Sequence, residues 1–125
     1  MKPLPFALFA VVAAGLSQAA AASHPFRVAI AAGKVGEVCM ALEAGDTLVW
    51  RFKASTALDF NLHHHVDKQV LMPVDRKAVT EDRAEHAIDQ RNDWCLMWTA
   101  PADRRATVDG NWSVRKTGAA ASAPR

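Results

Sequence analysis

Three consecutive histidines, His63, His64 and His65, are the densest group of side chains in the sequence that could do chemistry. They end the stretch Ala44–Val66, in which apolar and polar residues alternate as they do in a half-buried β-strand. Side chains two positions apart in a strand lie on one side, roughly 6.5 Å from each other. His63 and His65 are therefore predicted to share a polar face, where two imidazoles can chelate copper or zinc. The alternative is a solvated face that responds to pH.

Other donors are scattered along the chain. His86 and Met72 could add an imidazole and a soft thioether to the same ion if the fold brings them close. His24 offers an independent copper site, because cleavage after Ala21 would make it the third residue of a new N-terminus. A free amine, two amides and that imidazole form a square-planar set suited to Cu(II). The alternative to metal binding is that these side chains fill space in the core or lie in solvent.

Signatures of catalysis are absent from the sequence. It contains no serine in a nucleophile elbow, no glycine-rich phosphate loop and no His-Glu-x-x-His motif. The acidic residues Glu81, Asp82 and Glu85 are most simply a solvated surface. We therefore expect a binding protein rather than an enzyme.

The first 22 residues predict export. Lys2 is followed by the apolar run Pro5–Leu16 and an alanine-rich end, the pattern of a cleaved signal peptide. The run is too short for a stable membrane span, so the protein is expected in the periplasm or secreted. The full chain has a formal charge of +2, which is too balanced to favour nucleic acid as a partner. In an oxidising compartment, Cys39 and Cys95 are expected to form a disulfide rather than a thiolate site.

The remaining sequence predicts an all-β fold: a single small antiparallel β-sandwich of about seven strands over residues 23–115, followed by a disordered tail at 116–125. A polar turn at Lys53–Thr56 is predicted to separate two strands, and Asp109–Asn111 to interrupt the last one. Thr80–Ala87 fits either a helical turn or an edge strand. Asp93–Thr99, apolar on both faces, is predicted to be a central strand.

The order of several motifs resembles that of the GOLD (Golgi dynamics) domain. A cysteine precedes a Leu-x-x-Gly-Asp turn, a Trp-x-Phe strand follows, then an Asp-Phe pair and a late aromatic strand with the second cysteine. The matching residues are Cys39, Leu42, Gly45, Asp46, Trp50, Phe52, Asp59, Phe60, Trp94, Cys95 and Trp98. The resemblance spans about Val35–Val114 and implies a small β-sandwich that binds other molecules. The histidine triplet and the lack of a following membrane anchor depart from the family, so its role in membrane traffic is not carried over.

The sequence thus predicts an exported, non-catalytic binding protein. The most specific form of this prediction is that the protein binds copper or zinc. The alternative is a protein-interaction module of the cell envelope that holds no metal. In that case Trp98 and Trp112, if both face outward, would form an aromatic surface for the partner.

Overall fold

The computed structural model describes residues 2–3 and 22–116, and in this part of the chain six antiparallel strands and no helix form the fold. The strands are β1 (His24–Ile30), β2 (Val35–Leu42), β3 (Asp46–Val66), β4 (Gln69–Ala87), β5 (Asn92–Thr99) and β6 (Ala106–Lys116). None of the described residues forms a helix long and apolar enough to cross a membrane.

A hairpin of two long strands organises the sheet. β3 has 21 residues and β4 has 19, and they pair along most of their length. The first half of β3 also pairs with β6, whereas its second half pairs with β5. β1 continues the sheet beyond β6, and β2 continues it beyond β5. The sheet is therefore folded over into two layers, β1–β6–β3–β4 and β2–β5–β3–β4, that share the hairpin.

The hairpin passes from one layer to the other at a corner. On β3 the register with β4 shifts between Lys53 and Leu58. On β4 Ala78 has a φ of 52°, a value that non-glycine residues adopt rarely. The backbone N–H of Ala78 donates to Oδ1 of Asp59 at 3.0 Å, which fixes this turn of the backbone. Irregularities of this kind bend a strand without ending it.

The predicted sandwich with one disulfide is confirmed, but residues 22–116 form six strands rather than seven. The predicted turn at Lys53–Thr56 is wrong: these polar residues lie inside the continuous strand β3, at its corner. The predicted interruption at Asp109–Asn111 is also wrong, since β6 runs through it. Thr80–Ala87 is the end of β4, an edge strand rather than a helical turn.

The core lies between the two layers and is rich in aromatic rings. Every second residue of β3 faces it, including Leu48, Trp50 and Phe52 from the first half and Phe60 and Leu62 from the second. We call this face of the strands the inner face and the opposite one the outer face. Burial of each such side chain stabilises the fold by about 1.5–3 kcal/mol. The further core members are Ile30, Met40, Leu42, Leu58, Ile88, Trp94, Leu96, Trp98, Ala100, Ala106 and Val108.

The disulfide between Cys39 and Cys95 joins β2 to β5 as direct cross-strand partners. β5 lies between β2 and β3, which confirms that the strand with Cys95 is central. The bond fastens an edge strand to the middle of its layer.

The two ends of the chain lie largely outside the described residues. These include most of the predicted signal peptide at 1–22 and residues 117–125 of the predicted tail. Lys116, which was expected to begin that tail, is the last residue of β6. Its Nζ lies 2.9 Å from Oδ1 of the buried Asp46, so the ordered domain extends through Lys116.

Candidate functional site

The histidine triplet lies near the end of β3, where β5 and β4 flank that strand. His63 and His65 are on the outer face, with their ring centroids 5.4 Å apart. His64 is on the inner face and stacks on Trp94, at a centroid distance of 3.8 Å. The triplet therefore divides into an outer pair and an inner residue that closes the core.

His63 is buried, although the sequence pattern predicts a wet face for it. Only 4% of its surface is exposed. Because β3 is a central strand here, side chains from β5 and from β3 itself cover the imidazole. His63 lies directly opposite Cys95 on β5, and its Nδ1 is 2.7 Å from Oδ1 of Asn61.

The contact with Asn61 fixes the tautomer of His63. The Asn61 Oδ1 atom only accepts hydrogen bonds, so Nδ1 of His63 carries the proton and donates it. The lone pair is then on Nε2, which lies 4.0 Å from Oε1 of Glu37 on β2. A hydrogen-bonded second nitrogen is the usual way in which proteins orient a histidine that binds metal.

Burial lowers the pKa of His63 below its ordinary value of 6.5. The carboxylate of Glu37 acts in the opposite direction, and the neighbouring rings of His65 and His64 lower the pKa further. At neutral pH the imidazole is uncharged, as a metal ligand must be.

Glu37 is a functional candidate that the sequence interpretation missed. Its carboxylate, a ring nitrogen of His63 and Sγ of Cys95 lie within 4.8 Å of one another. The sulfur belongs to the disulfide and offers no thiolate. The oxygen of Glu37 and the imidazole of His63 remain as donors, and the ring of His65 lies beside this pair, with its centroid 5.4 Å from that of His63. Glu37 lies two residues before Cys39, so its position beside His63 could have been inferred only from the pairing of β2, β5 and β3.

The other predicted metal ligands lie elsewhere. His86 is opposite Leu48 on the inner face, with its ring 5.9 Å from that of Trp94. His24 begins β1 and stacks on Trp112 at 3.9 Å. Met72 is exposed on β4. The fold groups none of them with the outer pair of His63 and His65.

The prediction that Trp98 and Trp112 form an exposed aromatic surface is wrong. Trp98 is fully buried and packs edge-on against Phe52 at 5.5 Å. Trp112 is half-buried against the core, and the ring of His24 covers it. Both indoles point inward because they occupy core positions of β5 and β6.

A different apolar surface is exposed, at the start of β4. Val70, Leu71 and Met72 show 50%, 39% and 42% of their surfaces to solvent. Val70 is the cross-strand partner of His65, and Leu71 that of His64. Pro73 follows at once, as expected for an edge strand. We call Val70, Leu71 and Met72 the apolar edge. In the sequence this segment reads only as one half of a hairpin.

An open pocket of about 740 Å³ lies on the other layer, over β3, β4 and β6. Its lining includes three basic and three acidic side chains: Arg51, Lys53, Arg83, Glu81, Asp82 and Asp109. The formal charges of these six side chains sum to zero.

Comparisons with known proteins bear on the fold alone. No family model matches the chain, so the resemblance to the GOLD domain stays a prediction. No curated protein matches it either. Among solved structures, the fold is similar to that of PliG from Aeromonas hydrophila, described as a periplasmic inhibitor of g-type lysozyme. The two share 12% identity with a TM-score of 0.56, over 76% of this chain and 88% of that one.

Proposed function

We propose that this chain is an exported protein-binding module that catalyses nothing and contacts its partner through the apolar edge. The observation that carries the proposal is the exposure of Val70, Leu71 and Met72 on three consecutive positions of an edge strand. Soluble proteins usually protect such edges with charges, so an uncovered apolar run there is typical of an interaction surface.

The partner we propose is an enzyme of the lysozyme type. This rests on the similarity in fold to the periplasmic inhibitor PliG. A small β-sandwich with a disulfide is a rigid scaffold, and rigid inhibitors lose little conformational entropy on binding. The predicted signal peptide would place this chain in the same compartment.

The test is inhibition of a purified g-type lysozyme acting on peptidoglycan. We expect stoichiometric inhibition that is lost in the double variant Val70→Asp/Met72→Asp, because charges would be buried without partners at the interface. Val35→Asp is a matched control, since Val35 is 56% exposed but lies on β2. Full inhibition by the apolar-edge variant would refute the role of this surface. No effect of the native protein on g-type, c-type or i-type lysozymes would refute the partner class.

Metal binding by Glu37, His63 and His65 is a second candidate function. It is favoured by the Nε2 lone pair of His63, which faces a carboxylate oxygen 4.0 Å away. Bonds from zinc to nitrogen and oxygen are each about 2.0–2.2 Å, which sets two donors about 3.3–3.6 Å apart at a tetrahedral angle. A small movement of the Glu37 side chain, which is 40% exposed, would bring both donors onto one ion. Copper would suit the same imidazoles.

Calorimetry with Zn(II) and Cu(II) on the processed protein tests this candidate. Tight binding that is lost in His63→Ala/His65→Ala and kept in His24→Ala would support the outer pair. Loss in His24→Ala alone would move the site to the N-terminus. Binding no tighter than about 10 μM, or about 7 kcal/mol, would end the metal hypothesis.

A further inference from the structure

The free edge of β4 is the largest unpartnered backbone surface in the described part of the chain. β4 pairs with β3 along one side and with no strand of residues 22–116 along the other. All 19 of its residues are exposed or half-exposed. Unpaired N–H and C=O groups along such an edge can accept a further antiparallel strand.

The charges along this edge reverse their sign about Val79, so that positions equally far from it carry opposite charges. Residues 75–77 read Asp-Arg-Lys, and residues 81–83 read Glu-Asp-Arg, with Val79 midway between them. In an antiparallel pair of two copies centred on Val79, each charge faces its opposite. The pairs are Asp75 with Arg83, Arg76 with Asp82, and Lys77 with Glu81 of the second copy.

We propose that a second copy of this chain pairs antiparallel with β4 across residues 75–83, so that the protein forms a two-fold symmetric dimer. Each of the three ion pairs then occurs twice. Opposite charges placed directly across an antiparallel ladder stabilise it, whereas like charges destabilise it. A charged edge would ordinarily repel another copy, but this arrangement attracts one.

The faces of the strand agree with this register. Asp75 and Arg83 are the partners of Asn61 and Arg51 of β3, which lie on the outer face. Both side chains therefore project outward, and Asp75 of one copy can meet Arg83 of the other.

The inner face shows the same agreement. Arg76 and Asp82 are the partners of Phe60 and Phe52, which lie on the inner face. β4 turns its corner near Val79, so residues 75–77 and residues 81–83 belong to different layers. A two-fold axis at this corner places residues 81–83 of one copy beside residues 75–77 of the other. Outward charges then meet outward charges, and inward meet inward.

The single copy leaves several of these charges without an ion pair. Among the described residues, Arg76, Glu81 and Arg83 have no oppositely charged atom within 4.0 Å. Arg83 even lies directly opposite Arg51, another cation. Asp75 pairs within its own copy with Nζ of Lys77, 3.4 Å from its Oδ1, and its Oδ2 would supply the carboxylate oxygen that Arg83 of the second copy lacks. Oδ2 of Asp82 accepts a hydrogen bond from Nε1 of Trp50 at 3.0 Å. Its Oδ1 is left for Arg76 of the second copy.

This dimer goes beyond the proposed function, and its ion pairs are confined to residues 75–83 of β4. The apolar edge ends at Met72, before the first charge of the ladder at Asp75. A dimer joined through residues 75–83 would present two apolar edges.

Sedimentation velocity on the processed protein over a range of concentrations tests the proposal. We expect a concentration-dependent dimer that weakens as salt is added, since exposed ion pairs are screened. Arg83→Glu places a carboxylate opposite Asp75 of the second copy and should weaken the dimer at least about tenfold. Within its own chain the new glutamate faces Arg51, so folding is not opposed.

The charge swap Asp75→Arg/Arg83→Glu should restore the dimer to within about threefold of its native affinity. Arg105→Glu is the matched control, because it makes the same change of charge in an exposed loop away from β4. A native protein that stays monomeric at every concentration would overturn the proposal. So would a swap that fails to restore association, or an equal loss in the control. Lysozyme inhibition by the monomeric Arg83→Glu variant would show that the function survives without the dimer.

Discussion

The ring of His64 lies 3.8 Å from that of Trp94, and together they close one end of the core. Nε1 of Trp94 donates to the carbonyl of Gln90 at 3.2 Å, and the side-chain amide of Gln90 reaches Nε2 of His64 at 3.1 Å. Nδ1 of His64 is buried and has no hydrogen-bond partner among the described residues. The aromatic contact is therefore made at the cost of one unpaired polar atom.

His64→Phe should leave the free energy of unfolding unchanged or raise it by about 1 kcal/mol. Phenylalanine keeps the ring contact with Trp94 and removes the buried unpaired nitrogen, which offsets the lost hydrogen bond to the half-buried amide of Gln90. His64→Ala should instead lower the free energy of unfolding by about 2–4 kcal/mol, because it leaves a cavity. Urea unfolding of both variants measures the difference. Equal destabilisation by the two substitutions would mean that Nδ1 is hydrogen-bonded in solution.

The stability of the protein should fall as pH drops below 6.5 because of His63. Burial lowers the pKa of this residue in the folded state, while the unfolded chain keeps the ordinary value of 6.5. Protons therefore bind the unfolded chain first. The stabilisation is complete above pH 6.5 and is lost progressively from there down to the folded-state pKa.

Thermal unfolding across this pH range checks the effect. The variant His63→Gln should lose this part of the pH dependence, and His65→Gln, on the exposed neighbour, should keep it. An unchanged pH profile in His63→Gln would assign the dependence to another group.

Strand type and location were predictable because they depend on local alternation. Leu48, Trp50 and Phe52 face the core as the period of two requires. The continuity of β3 was not predictable, because the polar residues at its corner look like a turn in the sequence. Their backbone remains paired through a register shift, which depends on β4 rather than on local composition.

The candidate sites were less predictable, because they depend on which strands are neighbours. Alternation identifies the outer face of His63 but not that this face is covered, which follows from its central position beside Cys95. Trp98 and Trp112 could have been inside or outside on composition alone. Exposure of Met72 becomes meaningful only once β4 is known to be an edge.

Gly110→Ala should lower the free energy of unfolding by at least about 3 kcal/mol. A Cβ at this position of β6 would overlap the carbonyl oxygen of Arg51 on β3 and come within 2.8 Å of Cβ of Phe52. Both atoms belong to a paired central strand and cannot move aside. Gly33→Ala is the control: its nearest neighbouring atom would be 3.8 Å away, so only its φ of 71° opposes the change, at about 1–2 kcal/mol. Similar losses in both variants would show that β6 can move away from β3.

Removing the disulfide should lower the free energy of unfolding by about 4 kcal/mol. Cys39 and Cys95 are 56 positions apart, and the bond restricts the unfolded chain between them. Cys39→Ala/Cys95→Ala, compared with the native protein by urea unfolding without reductant, measures this. Adding reductant to the native protein should reproduce the loss, and adding it to the variant should change nothing. A loss below about 1 kcal/mol would mean that the unfolded chain already keeps β2 near β5, since the ladder between these strands is the same in both proteins.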